Sequence, residues 1–104
     1  MAYKVELIKE AIEILDELTD KQRGKVLRQI NYLIEFGLTP ANPGLRKIAS
    51  SSLWELRILG KDNIRVLCIE IKKTLYILHL FFKKNQKTSA RELKIALSRS
   101  RTRT

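Results

Sequence analysis

The chain is poor in residues that make covalent staples or metal cages: it has one cysteine, one histidine, two prolines and four glycines among 104 residues. A lone cysteine excludes an internal disulfide and a cysteine-rich metal site. Cys68, between Leu67 and Ile69, reads instead as a small buried apolar thiol. Long apolar runs are also missing, since the longest, Leu75 to Phe82, is about eight residues where a helical membrane span needs ~20. Lys4, Glu6, Lys9 and Glu10 interrupt the N-terminus before a leader-like apolar segment can form, so a soluble cytoplasmic protein with no membrane partner is expected. Acidic residues are scarce in one region only. Residues 1–40 hold six Lys/Arg against seven Asp/Glu and residues 41–104 hold fifteen against four, which divides the formal charge of +10 into −1 and +11. Such a surplus predicts attraction to polyanions. The four late carboxylates, Glu55, Asp62, Glu70 and Glu92, have no spacing that suggests a shared cation, so neither metal nor cofactor is expected.

What is present is enough for one core of two packed layers, with 44% hydrophobic and 31% charged residues. Tyr3, Val5 and Leu7 alternate with Lys4 and Glu6 and predict a short strand. From Ile8 the period changes to three and four, through Ala11, Ile12, Leu15 and Leu18, as in an amphipathic helix. Thr19 and Gln22 fit a capping box opening a second helix, whose stripe is Val26, Leu27, Ile30, Leu33 and Ile34 and which Gly37 ends. The short link makes these two helices an antiparallel hairpin. TPANPG (39–44) is an irregular loop, Leu45 to Ile48 a brief edge strand, and Leu53–Leu59, Ile64–Ile71 and Thr74–Phe82 three strands of an antiparallel meander. The last two are apolar on both faces and require cover on both sides, the hairpin on one and a C-terminal helix or a partner chain on the other. Ser89 and Glu92 make a second capping-box pattern, starting a helix through about Arg99 with a narrow stripe of Leu93, Ala96 and Leu97. The expected fold is therefore α+β, a helical hairpin packed on a small antiparallel sheet with a C-terminal helix. It forms one domain over residues 1–98, and the SRSRTRT ending predicts a disordered basic tail over 99–104.

The strands carry cations among residues built for burial. With the two-residue turn Lys72-Lys73, Arg65 shares a face with Leu80, Phe82 and Lys84; Arg57 joins them only if the connection from Leu59 to Ile64 is odd in length or bulged, which Gly60 allows. Cations converging there, with Lys83, Lys87 and Arg91 at the edge, would repel one another without an anion between them, and a phosphodiester is the natural candidate. Fixed guanidinium groups also stabilise the charge that grows in phosphoryl transfer. Each arginine alternatively fits a cross-strand ion pair with Glu55 or Glu70, and the lysines a solvated strand exit. His79 suits either an acid–base role or a core site bonded to a backbone carbonyl. Trp54 suits core packing more than base stacking.

LWELR, RVLCIE, and HLFFKKNQKTSARELKIA running on to a helix ending in IALSR resemble the RelE superfamily of toxins, within it the HigB-like branch, over nearly the whole chain. The resemblance implies a RelE-like fold and a type II toxin that cleaves mRNA in the ribosomal A site without metal, leaving a cyclic phosphate. On matching positions it implies roles for Arg57, Arg65 and the basic pair Lys83-Lys84, with Arg57, Arg65 and Lys84 as the catalytic candidates; Lys47, Lys83, Gln86, Lys87 and Arg91 are expected as RNA contacts, and His79 as a possible acid or base. It implies as partners the ribosome and mRNA, and a neighbouring antitoxin of helix-turn-helix type through which operator DNA is bound. Two other readings share the scaffold or the charge: a ParE-like inhibitor of DNA gyrase, and a nucleic-acid-binding module without catalysis.

Overall fold

Val5 and Leu7, alternating with Lys4 and Glu6, form strand β1 (Lys4–Leu7) in the computed structural model, which describes residues 3–84 and 90–103. Helix α1 (Lys9–Glu17) follows at once and buries Ala11 and Leu15. Helix α2 (Asp20–Phe36) buries Val26, Ile30 and Leu33. Its N-terminus carries the expected capping box, with the Gln22 N–H donating to Thr19 Oγ1 at 3.2 Å and the Thr19 N–H to Gln22 Oε1 at 3.0 Å. Gly37 closes it at φ 69°. Ile12 and Leu27, at the margins of the two apolar stripes, remain exposed.

α1 ends without a side-chain cap of its own. Arg23, one turn into α2, reaches back instead: Nε donates to Leu15 O at 3.2 Å, and Nη2 to Asp16 O and Leu18 O at 3.0 and 2.7 Å. A guanidinium at a helix C-terminus both satisfies orphan carbonyls and complements the helix dipole. That contact ties the end of α1 to the first turn of α2.

The remaining strands are β2 (Leu45–Lys47), β3 (Trp54–Ile58), β4 (Ile64–Ile71) and β5 (Thr74–Phe82), and helix α3 (Ala90–Arg101) completes the chain. They form one five-stranded sheet in the order β1-β5-β4-β3-β2. The meander β2 to β5 is antiparallel as expected, but β1 pairs parallel with β5, so the sheet is mixed. The helical hairpin between β1 and the rest supplies the crossover that a parallel pair requires.

β4 and β5 are buried along most of their length, and both sheet faces are covered there. α1 packs on β5 and α2 on β1 and β3, closing a core with Leu56, Ile58, Val66 and Cys68. α3 lies on the opposite face against β5 and β4, burying Ala96. Desolvation in this core pushes the Cys68 thiol up to about 12, so it stays a neutral packing group. The expected disordered tail is corrected in its first part: Arg99 to Arg101 complete the last turn of α3, because Arg99 donates to Leu78 O of the sheet and buried Ser100 to Leu97 O. The proposed cap residue Ser89 lies outside the described residues.

Candidate functional site

Two departures from simple hairpin parity place the cations. The connection between β3 and β4 spans residues 59–63, an odd number, because Ile58 pairs with Ile64. Gly60 and Asn63 take positive φ within it, at 131° and 53°. Arg57 is therefore directly opposite Arg65, on the same face. The turn between β4 and β5 is the two-residue Lys72-Lys73, but a bulge follows it: Cys68 pairs with Ile77 and Leu67 with His79, leaving Leu78 unmatched. A one-residue slip exchanges the faces of everything beyond it. Arg65 is thus opposite Phe81, and Leu80 and Phe82 turn to the other face. The parity that placed Arg65 with Leu80 and Phe82 is overturned by this bulge, yet Lys84, past the end of β5, still comes to the same concavity.

That concavity is a cavity of about 660 Å³ lined by Pro43, Gly44, Leu45, Asn63 and by Arg46, Arg57, Arg65, Lys83, Lys84 and Glu55. The Lys83 N–H donates to Asn63 O at 2.8 Å, which holds the exit of β5 against the β3–β4 connection. On the other side the Arg57 N–H donates to Gly44 O, also at 2.8 Å. A Cβ on Gly44 would lie 2.8 Å from Arg57 O, so only glycine lets the loop approach this closely.

Arg65 is 7% exposed. Its Nη1 donates to Ile64 O at 3.3 Å, and its buried Nε has no partner among the described residues. Burial is the main cause that lowers its pKa, Glu55 opposes it, and Arg57 and Arg46 add to it. Glu55 accepts from Arg46 Nη2 at 3.0 Å across the β2–β3 pair, a cross-strand ion pair with an arginine other than the Arg57 and Arg65 considered from sequence. Glu70 is exposed.

Of the residues singled out from sequence, Arg57, Arg65, Lys83 and Lys84 come together in this cavity. Lys47 does not: it alternates with Arg46 on β2 and sits on the other face, its Nζ 5.8 Å above the Trp54 ring. Arg46, which sequence reasoning passed over, takes that place; strand alternation was the signal for it. Arg91 is exposed on α3 and does not line the cavity, and Gln86 and Lys87 lie outside the described residues.

His79 faces α3 instead of the cavity. Its Nε2 is 2.7 Å from Glu92 Oε1, and Arg99 Nη1 is 3.0 Å from its Nδ1 while donating to Leu78 O at 2.9 Å. Because a guanidinium can only donate, Nδ1 accepts and the ring proton belongs on Nε2, directed at Glu92. Burial lowers the pKa of His79; the bond to Glu92 raises it, and Arg99 and Arg91 lower it. Phe81, stacked on His79 with centroids 5.4 Å apart, is the cross-strand partner of Arg65. The backbone-carbonyl partner expected for a core histidine is replaced by Glu92 and Arg99, residues of another element thirteen and twenty positions away. Among the described residues no three His, Cys, Asp or Glu side chains gather as cation ligands.

A family model described as phage derived protein Gp49-like (DUF891) matches residues 13–101. The chain belongs to this family. No curated protein matches it. Solved structures similar to this Gp49-like chain include a doubly substituted E. coli toxin RelE in the free state, with a TM-score of 0.72 and 15% identity over 95% of this chain and 98% of that one. A chain of the intact E. coli RelBE toxin–antitoxin complex matches with a TM-score of 0.66 and 15% identity, covering 81% of this chain and 100% of its own. One of the archaeal RelE–RelB complex from Pyrococcus horikoshii OT3 matches at 0.61 and 23%, covering 79% and 96%. At such identities the likeness is one of fold. The Gp49-like chain has a RelE-like architecture, and no described helix is long and apolar enough to cross a membrane.

Proposed function

We propose that this chain is the toxin of a type II toxin–antitoxin system, of the HigB-like branch, acting as a ribosome-dependent endoribonuclease on mRNA. One observation carries the reading: among the described residues five cations and a single carboxylate line one cavity on the sheet, and the most buried cation, Arg65, keeps an unpaired Nε. A buried guanidinium with exposed ones beside it on neighbouring strands suits a phosphodiester whose charge grows as it reacts. The 2′-hydroxyl oxygen attacks the adjacent phosphorus, the bond to the 5′ oxygen breaks, and a 2′,3′-cyclic phosphate and a 5′-hydroxyl result. Arg57, Arg65 and Lys84, with Arg46 held by Glu55, stabilise the pentavalent arrangement; Lys83 holds a flanking phosphate. Neither imidazole nor phenol lines the cavity, so proton transfer falls to solvent or to the ribosomal A site in which the message lies. An antitoxin of helix-turn-helix type would neutralise the +11 half and carry the pair to its operator.

Arg57 and Lys84 are exposed, so their replacement by alanine spares the core. Induced expression of the wild-type chain should arrest growth, with primer extension showing cuts inside translated codons. Arg57→Ala and Lys84→Ala should each lower cleavage by on the order of 10²-fold and relieve the arrest. Unchanged arrest in both variants would remove the site.

The engagement of His79 by α3 and the absence of imidazole from the cavity lining favour one second reading, a ParE-like protein that inhibits DNA gyrase by contact. It predicts DNA damage on induction and intact messages.

A further inference from the structure

Glu55 is out of place in a cavity for an anion. It is the one carboxylate among the lining residues, its side chain is 5% exposed, and it stands on the same face of β3 as Arg57, two residues on. Its cross-strand neighbours are Arg46 on β2 and Leu67 on β4, which makes Arg65, paired with Arg57, its diagonal neighbour. A fixed negative charge there opposes the approach of any phosphate, so binding alone gives no reason for it. Geometry does. Glu55 accepts from Arg46 Nη2 at 3.0 Å although the Arg46 side chain is otherwise 64% exposed, and its field opposes, without cancelling, the burial of Arg65 and the repulsion from Arg57 and Arg46.

We propose that Glu55 is a positioning residue for the RNA-cleaving site, a buried counter-ion that fixes the forks of Arg46 and Arg65 toward the scissile phosphate and gives up ground-state affinity to do so. A pinned fork meets the equatorial oxygens of the transition state without reorganising, whereas a loose one grips the ground state equally well and accelerates nothing. The inference rests on the nuclease reading, and its test keeps the two apart.

Glu55→Gln keeps an oxygen for Arg46 and removes the charge; Glu55→Asp keeps the charge and withdraws it by one methylene. Binding is measured by fluorescence anisotropy with an oligonucleotide lacking the reactive 2′-hydroxyl, and cleavage by single turnover on programmed ribosomes. Glu55→Gln is expected to bind the oligonucleotide about two- to fivefold more tightly at low salt and to cut at least tenfold more slowly. Glu55→Asp, which also serves where the glutamine variant does not fold, is expected to bind as wild type and cut at least fivefold more slowly. A structural role alone would lower affinity and rate together, and that result, or cleavage within twofold of wild type, overturns the proposal. Relaxation of the arginine Nε–H resonances gives the independent arm. Should the wild-type chain cut nothing, Arg46 and Arg65 rigid in wild type and loosened in either variant leave the positioning role standing without the nuclease; equal rigidity in all three overturns it.

Discussion

Arg65 concentrates the conflict between stability and activity in one side chain. The residue is buried, its Nε has no partner among the described residues, and of the three charges that act on it Glu55 attracts it while Arg57 and Arg46 repel it. A buried charge that its counter-ion only partly compensates costs stability, and apolar replacement of such groups is often stabilising. Arg65→Met should therefore raise stability by about 1–2 kcal/mol, read as a higher urea midpoint at unchanged slope, while abolishing growth arrest. A lower midpoint would mean that Glu55 depends on Arg65 more than on Arg46. His79 shows the opposite arrangement, a neutral ring held from both nitrogens. Its pKa in the fold is lowered from an unfolded value of 6.5, so the unfolded chain binds a proton more readily. Stability from this group is fully present above about pH 6.5 and is lost as pH falls through that value toward the lower folded pKa. Between pH 7.5 and 5.5 the urea midpoint should fall for the wild type and stay nearly flat for His79→Gln; parallel profiles would show that the ring is not what titrates.

Turns and ends of elements hold what periodicity leaves out. Lys72 and Lys73 form a two-residue turn with φ of 49° and 68°, the primed geometry that matches strand twist but that L side chains adopt at a cost. Exchanging them for Asn-Gly should raise stability by about 1–2 kcal/mol, or a thermal midpoint by several degrees, with oligonucleotide binding unchanged because neither lysine lines the cavity. An unshifted midpoint would show that the lysines gain elsewhere what they lose in φ. The same elements show where sequence reading succeeds. The change from period two at Tyr3–Leu7 to period 3.6 at Ile8, the Thr19–Gln22 box and the three apolar runs are local patterns, and each became the element they signal. The bulge at Leu78 is not local: a run apolar on both faces, ILHLFF, has no alternation to break, so nothing marks the slip that exchanges Leu80 for Phe81 beside Arg65. The partner of β1 and the contacts of His79 with Glu92 and Arg99 depend on how distant elements meet, as does the reach of Arg23 to the end of α1. Arg46 was legible, since on a strand flanked by Leu45 and Lys47 it alone faces with Glu55.

Over the whole molecule the charge is layered. The helical hairpin, nearly balanced in sign, backs one face of the sheet, and five cations from the basic half, residues 41–104, line the cavity on the other. Among the described residues five lining cations, offset by Glu55, leave four charges available to phosphate. For a single-stranded RNA each neutralised phosphate contributes about −0.7 to the slope of log affinity against log salt, so a slope of about −3 is expected. Arg57→Ala should reduce its magnitude by about 0.7, whereas Lys94→Ala, exposed on α3 and not among the lining residues, should leave it unchanged. The pair separates contact from general attraction: net charge alone would make the two substitutions equivalent, since each removes one positive charge from the same molecule. Equal changes in slope would therefore assign RNA binding to the overall field of the basic half, and the cavity would lose its claim to grip the chain being cut.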